Sequence, residues 1–454
     1  MSNTDIIKRE STSTSRKILF GLPRLGTSIV LGIEGWALLT LYTSGYGLHP
    51  FLAGFSISMG YLTIAASQFF LGWLSDAKYT RWGRRKPYMI IFAPLLGISI
   101  IFLLLPGLII DIKNTKMLFL WMLSWEIIFR ASYAVTTPYQ AWMAEEFPVE
   151  ERPKVSQFQN TFAYIGNGIM ALFSLLLLTG YIDDLKIDIN TPLPNEILIP
   201  ILIFGILTII LFYIIAFKMP TESRFEIKSN LFKNLKTIVK NKNFMLIVLM
   251  IGISGLGWSM ITTSMLKYLE DALDMSGNDY IIAAVALLLT IFIFLYLWRR
   301  SIQKLGKKRT LLYVFLFAVV FMPISLLGLI PLQSYLVIGI IFIVGIGAIL
   351  GGWFLFPYIV YADVAEDDEK ETGELKAGIY TGFPSIILNI FQAGGAFFIG
   401  SILSLPKLTR FYVTSHPSFS VGLIIFGPIV SIILLISYFY TKKFITLDFD
   451  WEKK

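Results

Sequence analysis

The chain has no cysteine and only two histidines among its 454 residues. Without cysteine there are no disulfides and no thiolate metal ligands, although the compartment stays open. His49 and His416 both fall near stretches that separate apolar runs. A histidine zinc site and a nucleophile–histidine–acid set therefore lack their parts. There is no Gly-Lys-Ser or Gly-Lys-Thr phosphate loop, so ATP is not expected to drive this protein. Charge is scarce as well: 15% of residues are Asp, Glu, Lys or Arg, against about 25% in soluble domains. These shortages argue against an enzyme, and neither metal nor cofactor is expected.

Apolar sequence fills the space. The hydrophobic share is 56% and mean hydropathy is +0.71. A bilayer core of about 30 Å takes about 20 apolar residues per helix. Twelve such runs can be read, at 27–48, 51–74, 87–110, 117–141, 156–180, 197–217, 244–266, 279–298, 310–330, 334–357, 378–405 and 418–440. A β-barrel is excluded, because barrel strands alternate polar and apolar residues over about 10 positions. The expected fold class is all-α and integral to the membrane.

The net charge of +8 does not call for nucleic acid, because the cations sit in alternate loops. Residues 1–26, 75–87, 142–155, 218–243, 299–309, 361–377 and 441–454 hold 31 of the 38 Lys and Arg. The remaining loops hold six, and Arg130 lies inside a run. Cationic loops stay in the cytoplasm, which predicts a multi-pass cell-membrane protein with both termini cytoplasmic. The polar stretch before the first run does not read as a cleavable signal peptide.

The long basic loop divides the chain into six runs plus six. The expected units are a tail at 1–26, a half at 27–217, a linker at 218–243, a half at 244–440 and a tail at 441–454. Leu231 to Val239 alternates apolar and basic residues at helical spacing and should lie on the membrane surface. The halves echo each other. Gly83-Arg84-Arg85-Lys86 is matched by Gly306-Lys307-Lys308-Arg309, and Pro138-Tyr139 by Pro357-Tyr358. Two related six-helix halves would place a solute site at their interface near mid-membrane.

The block after Asp76, with Arg81, Gly83, Arg84 and Arg85, puts clustered cations on a short loop between two runs. Gly83 permits a tight turn there. Asp76 with Arg84, and Glu145 with Arg152, are read as an inner gate that holds one state and parts in another. The acidic stretch beginning at Asp363 could meet this basic face or be a solvated linker.

These residues carry a resemblance. The chain resembles the glycoside–pentoside–hexuronide:cation symporters of the major facilitator superfamily. Its first half looks most like the sucrose-transporter branch, through Gly35-Trp36-Ala37-Leu38, Gln68, Gly72, Ser75-Asp76, Arg81 to Pro87, Pro138, Ala141, Ala144-Glu145 and Ile165-Gly166-Asn167. In the second half, Ala362-Asp363, Lys370, Thr372-Gly373, Gly378 and Tyr380 fit the wider family. The resemblance implies a fold of two pseudo-symmetric six-helix halves and sugar uptake coupled to a cation, usually H+ in the sucrose branch. It also implies departures. Ile64 and Gln68 stand where the melibiose branch has its Na+ aspartates. The fourth-helix aspartate falls near Phe129 or Thr136. The eleventh-helix lysine falls near Leu388 or Asn389.

Three charges lie inside apolar runs. A charge at a helix centre costs at least ~2.5–3.5 kcal/mol, so it usually has a job. Glu126 and Arg130 are four apart and share a face; Glu34 has no arginine within a helical turn of its own run. A glutamate here can take and release the coupling proton, or the pair can be a permanent lock. Candidate solute hydrogen-bonders are Gln68, Gln140, Asn160, Asn389 and Gln392; candidate aromatic platforms are Trp36, Trp125, Trp258 and Trp353. Lipid contact and helix–helix bonding compete for these residues. Asn167, beside Gly166, reads as structural. The expected partners are a small solute, with sugar foremost, H+ and the bilayer, for a monomer. The competing readings are a carrier of lipid or another non-sugar solute, an uncoupled facilitator, and a membrane sensor or receptor, which the short tails disfavour.

Overall fold

The structure is a computed structural model. It describes residues 12–77, 79–148, 151–221, 239–275, 277–353, 355–356, 360, 364, 377–408 and 418–447. Among these, twelve helices are long and apolar enough to cross a membrane. They are α1 (Thr14–Gly45), α2 (Pro50–Ser75), α3 (Lys86–Leu104), α4 (Thr115–Met143), α5 (Lys154–Ile187) and α6 (Asn195–Lys218). The second set is α7 (Lys242–Ala272), α8 (Asn278–Leu305), α9 (Lys307–Leu329), α10 (Leu336–Trp353), α11 (Phe383–Leu403) and α12 (Gly422–Phe444). A short antiparallel pair, β1 (Lys407–Leu408) and β2 (Phe419–Ser420), closes the connection between α11 and α12. The ends of α2, α4, α6, α8 and α10 define a basic face, and the other ends an opposite face.

Helix lengths depart from the apolar runs where charges are paired. α1 begins at Thr14, inside the stretch assigned to the N-terminal tail. Its first turns are held to the connection between α4 and α5 by Lys17–Glu151 at 3.0 Å and Arg16–Glu146 at 3.4 Å. α5 and α7 run on to Ile187 and Ala272, past the ends of their apolar runs. Lys186 and Lys267, counted among the loop cations in the sequence, are therefore helical. Charges break an apolar run, but they do not break a helix when partners neutralise them.

The duplication is visible in backbone geometry. Gly83 and Gly306 both have positive φ, +95° and +83°, just before α3 and α9. Each lets the chain reverse where an L side chain would be strained. The halves meet along α2 and α11. A Cβ on Gly54 would lie 2.6 Å from the Gly400 Cα, so two glycines allow these backbones to touch. Small residues are the usual means of close helix packing where lipid gives no hydrophobic drive.

The basic loop binds its own half. Arg85 Nη1 donates to Ser75 Oγ at 2.6 Å, and Lys86 Nζ donates to the Met219 carbonyl at 2.7 Å. Although both residues open α3, their side chains reach the C-terminal ends of α2 and α6, where free carbonyls favour positive charge. Arg81 lies over its neighbour Trp82, 5.1 Å from the ring centroid. Arg84 is buried. Arg152 Nε donates to the Phe147 carbonyl at 3.2 Å. The side chains of Asp76 and Glu145, with Asp363, its acidic stretch, Pro357-Tyr358 and residues 231–238, lie outside the described residues.

Candidate functional site

Three buried charges form the centre of the first half. Arg130 on α4 donates from Nη2 to the Glu34 carboxylate on α1 at 2.6 Å. Its Nε donates to Glu126 Oε1 at 3.1 Å. All three side chains are closed to solvent. The Glu126–Arg130 pair follows from helical spacing. The stronger Glu34 contact does not, because 96 residues separate the partners. Glu34 is thus not the isolated acid that its own run implies. Glu126 is the more loosely held of the two, since its Oε2 is buried without a hydrogen-bond partner.

α2 supplies the floor. The Arg130 guanidinium lies 4.2 Å from the centroid of the Tyr61 ring, a cation–π geometry. Next to it, a Cβ on Gly60 would fall 2.1 Å from Glu126 Oε1. Gly60→Ala should therefore push Glu126 off Arg130. Overpacking of this kind typically costs about 1–3 kcal/mol. Thermal unfolding of the purified variant should show the loss, together with impaired uphill transport. An unchanged unfolding temperature and unchanged transport would contradict the packing.

A second ionic network ties the halves together at the opposite face. Lys186 of α5 lies 2.6 Å from Glu270 of α7. Lys267 pairs with Asp271 at 2.7 Å, and Ser44 of α1 donates to Asp271 at 3.2 Å. The sequence reading did not single out these residues. The available signal was the four-residue spacing of Lys267 and Asp271. Toward the basic face, α5 and α8 border an open cavity of about 560 Å³, lined by Ser156, Gln157, Asn160, Thr161, Tyr164 and Arg299. Tyr164 and Phe292, with ring centroids 6.0 Å apart, meet where the two helices converge. An exposed polar stripe on a spanning helix fits a water-filled path.

The other candidates scatter. Asn160 is on the cavity. Asn167, read as structural, is exposed one heptad further along the same helix face, while Gly166 makes the close contact with α1. Trp258 and Trp353 stack at 5.3 Å within the second half. Gln68 accepts from Ser385 Oγ at 2.7 Å, linking α2 to α11. Asn389 donates to the Ser385 carbonyl at 2.8 Å. The Gln392 carbonyl accepts from Ser259 Oγ at 2.8 Å. Gln140 accepts from Gln159 at 3.4 Å, so it braces α4 on α5. Trp125 packs on Phe102 of α3, with centroids 4.7 Å apart. Trp36 is half-buried and two residues from Glu34, which turns it to another face of α1. The structure does not bring these last three to the charge cluster.

Twelve apolar helices, a buried charge cluster and a polar cavity between α5 and α8 describe a multi-pass membrane protein, and its family makes it a transporter, not an enzyme. The chain belongs to the MFS/sugar transport protein family, whose pattern spans residues 19–444. It is 23% identical to an uncharacterized symporter of Synechocystis, over 87% of this chain and 86% of that protein. Among solved structures it is similar to a D-xylose-proton symporter, with a TM-score of 0.69 at 12% identity over 95% of this chain and 97% of that one. It is also similar to a bacterial homolog of the human lysosomal transporter Spinster in an inward-facing conformation. There the TM-score is 0.64 at 13% identity, over 95% of this chain and 98% of that one. These likenesses establish the major facilitator fold.

Proposed function

We propose that this protein is a secondary active transporter that imports a sugar, a glycoside or oligosaccharide, together with H+. The observation that carries the reading is the pair of carboxylates sharing one buried guanidinium. Two carboxylates and one arginine carry a net negative charge, and a single proton balances it. Burying an uncompensated charge is costly, so the cluster has reason to take a proton in one state and release it in another. Glu126, with one oxygen unpartnered, is the proton carrier in this account. Arg130 and Glu34 stay paired throughout the cycle.

The solute path runs along the polar face of α5, with Asn160 as a hydrogen-bonder; the Trp258–Trp353 stack is buried in the core of the second half and supports that half rather than the solute. The basic face is cytoplasmic, as are both termini. The Lys186–Glu270 and Lys267–Asp271–Ser44 contacts then close the outer side, while the cavity between α5 and α8 serves the inner side. The names of the Synechocystis symporter and the D-xylose-proton symporter are consistent with coupled transport.

The solute class can be tested by thermal shift against mono- and disaccharides at two pH values. A ligand at 100 times its Kd adds about 2.7 kcal/mol to apparent stability. At least one sugar should stabilise the protein, more strongly at the lower pH. Stabilisation by amphiphiles alone would contradict the sugar reading. The coupling ion has its own test. Ile64 is buried apolar and Gln68 is engaged with Ser385, so no acid stands at either position. In proteoliposomes, an inward Na+ gradient without a pH gradient should give no accumulation; Na+-driven concentration of solute would refute this.

A further inference from the structure

We propose that Glu270 is a second proton-binding site, separate from the Glu34–Arg130–Glu126 cluster, and that a proton taken there from outside unlocks the outer side of the transporter. The proposal rests on the reading above that the face opposite the basic one is the outer face. It gives that face a chemistry of its own.

The lock is made of charges that join the halves directly. Lys186 of α5 reaches Glu270 of α7 at 2.6 Å and Asp271 at 3.5 Å. Lys267 of α7 donates to Ser44 Oγ of α1 at 2.5 Å and pairs with Asp271 at 2.7 Å. Each lysine also has an acid on its own helix. Lys186 lies 3.4 Å from Asp183, one turn back, and Lys267 and Asp271 are four residues apart. Glu270 differs. Among the described residues its ion pair is with Lys186, across the halves, and neither of its oxygens accepts a hydrogen bond. Its side chain is 1% exposed, against 33% for Lys186 and 40% for Asp183, so water reaches the rim of the lock.

Three acids, Asp183, Glu270 and Asp271, share the two lysines, which leaves one negative charge over. The other titratable groups at this end are Tyr280 of α8 and Asp274 in the turn after α7, and neither supplies a cation. α1 brings the neutral Ser44. Buried charge without full compensation is costly, so Glu270, the closed acid of the three, gains most from a proton. Once Glu270 is neutral, Lys186 turns to Asp183 and Lys267 stays with Asp271. Each lysine then has its partner on its own helix. Only the longer Lys186–Asp271 approach and the Ser44 hydrogen bonds still cross between the halves. One turn inward, Thr40 of α1 and Thr263 of α7 are buried with hydroxyls that have no partner. They stand four residues from Ser44 and Lys267, on the same helical faces, and an open lock admits water to them first.

The absence of native cysteine permits a test with no solute. Thr263→Cys places one thiol beneath the lock. Its labelling by a membrane-impermeant maleimide is measured on intact cells, which fix the orientation, as external pH is varied from mildly alkaline to mildly acidic. Leu108→Cys, in the exposed connection after α3, gives the reference for thiol reactivity at each pH. Relative to that reference, labelling of Thr263→Cys should rise severalfold as external pH falls. It should rise equally in a Glu126→Gln background. Glu270→Gln keeps the shape of the protonated side chain and should give high labelling at every pH. Glu270→Asp holds Lys186 less closely but can still take a proton. It should raise labelling at alkaline pH and keep a rise toward acid, which decides the matter if Glu270→Gln folds poorly. Labelling that does not respond to pH, or a response left unchanged by both Glu270 variants, overturns the proposal and leaves the coupling reading untouched. A response that vanishes with Glu126→Gln belongs to the Glu126 cluster, which overturns this proposal while supporting that reading.

Discussion

Glu126→Gln is expected to abolish uphill, pH-driven accumulation of solute while leaving exchange across equal concentrations intact. The glutamine keeps the shape of the side chain beside Gly60 and Arg130 but cannot take a proton. The remaining Glu34–Arg130 pair is neutral by itself, so the variant should fold. A one-unit pH gradient supplies about 1.4 kcal/mol per proton, or about tenfold accumulation. The variant should lose that factor entirely. Exchange requires no net proton movement and should continue. Counterflow and pH-jump uptake in the same proteoliposomes separate the two. The sequence alone favours Glu34→Gln as the cleaner uncoupled variant, because no arginine lies nearby in its own run. The structure reverses that order: Glu34 holds Arg130 at 2.6 Å, so its loss should damage folding as well as coupling. A folded Glu126→Gln protein with normal pH-driven accumulation would remove this residue from the mechanism.

The largest effect on stability is expected at Arg130. Its removal leaves two carboxylates facing one another in a closed site. Breaking a buried pair by deleting one partner typically costs about 3–5 kcal/mol, and here a single deletion strands two acids. Arg130→Ala should reach the membrane poorly and unfold at a much lower temperature. Arg130→Lys should recover part of the stability, because it restores the charge. It should not restore transport, since one ammonium cannot reproduce a planar fork that reaches Glu34 from Nη2 and Glu126 from Nε. Adding Glu34→Gln to Arg130→Ala should be less harmful than the sum of the single changes. Strict additivity would contradict a shared cluster.

Much of this architecture is legible in the sequence, for identifiable reasons. A spanning helix satisfies its backbone internally and must be apolar for its length, so the twelve helices announce themselves as runs. The positions of Glu34, Glu126 and Arg130 stand out because charge within such runs is rare. The Glu126–Arg130 contact is legible from four-residue spacing. The Glu34–Arg130 contact depends on how α1 packs against α4, which no local pattern encodes. The same is true of Lys186 with Glu270, whose positions read as loop charge because pairing, not apolarity, sustains the ends of α5 and α7. Tyr61 carries no signal in the sequence, because a tyrosine in an apolar run looks ordinary until its neighbours are known. Trp36 and Trp125 are solute candidates by residue type alone, and type does not say which face of a helix points inward.

The central claim is that sugar and proton move together through this protein. The most direct measurement is the external pH of lightly buffered, Na+-free proteoliposomes when a stabilising sugar is added outside. The account predicts alkalinisation of the medium as protons enter with the sugar, and no alkalinisation with Glu126→Gln. Sugar entry without a pH change, or a pH change that survives Glu126→Gln, would contradict it.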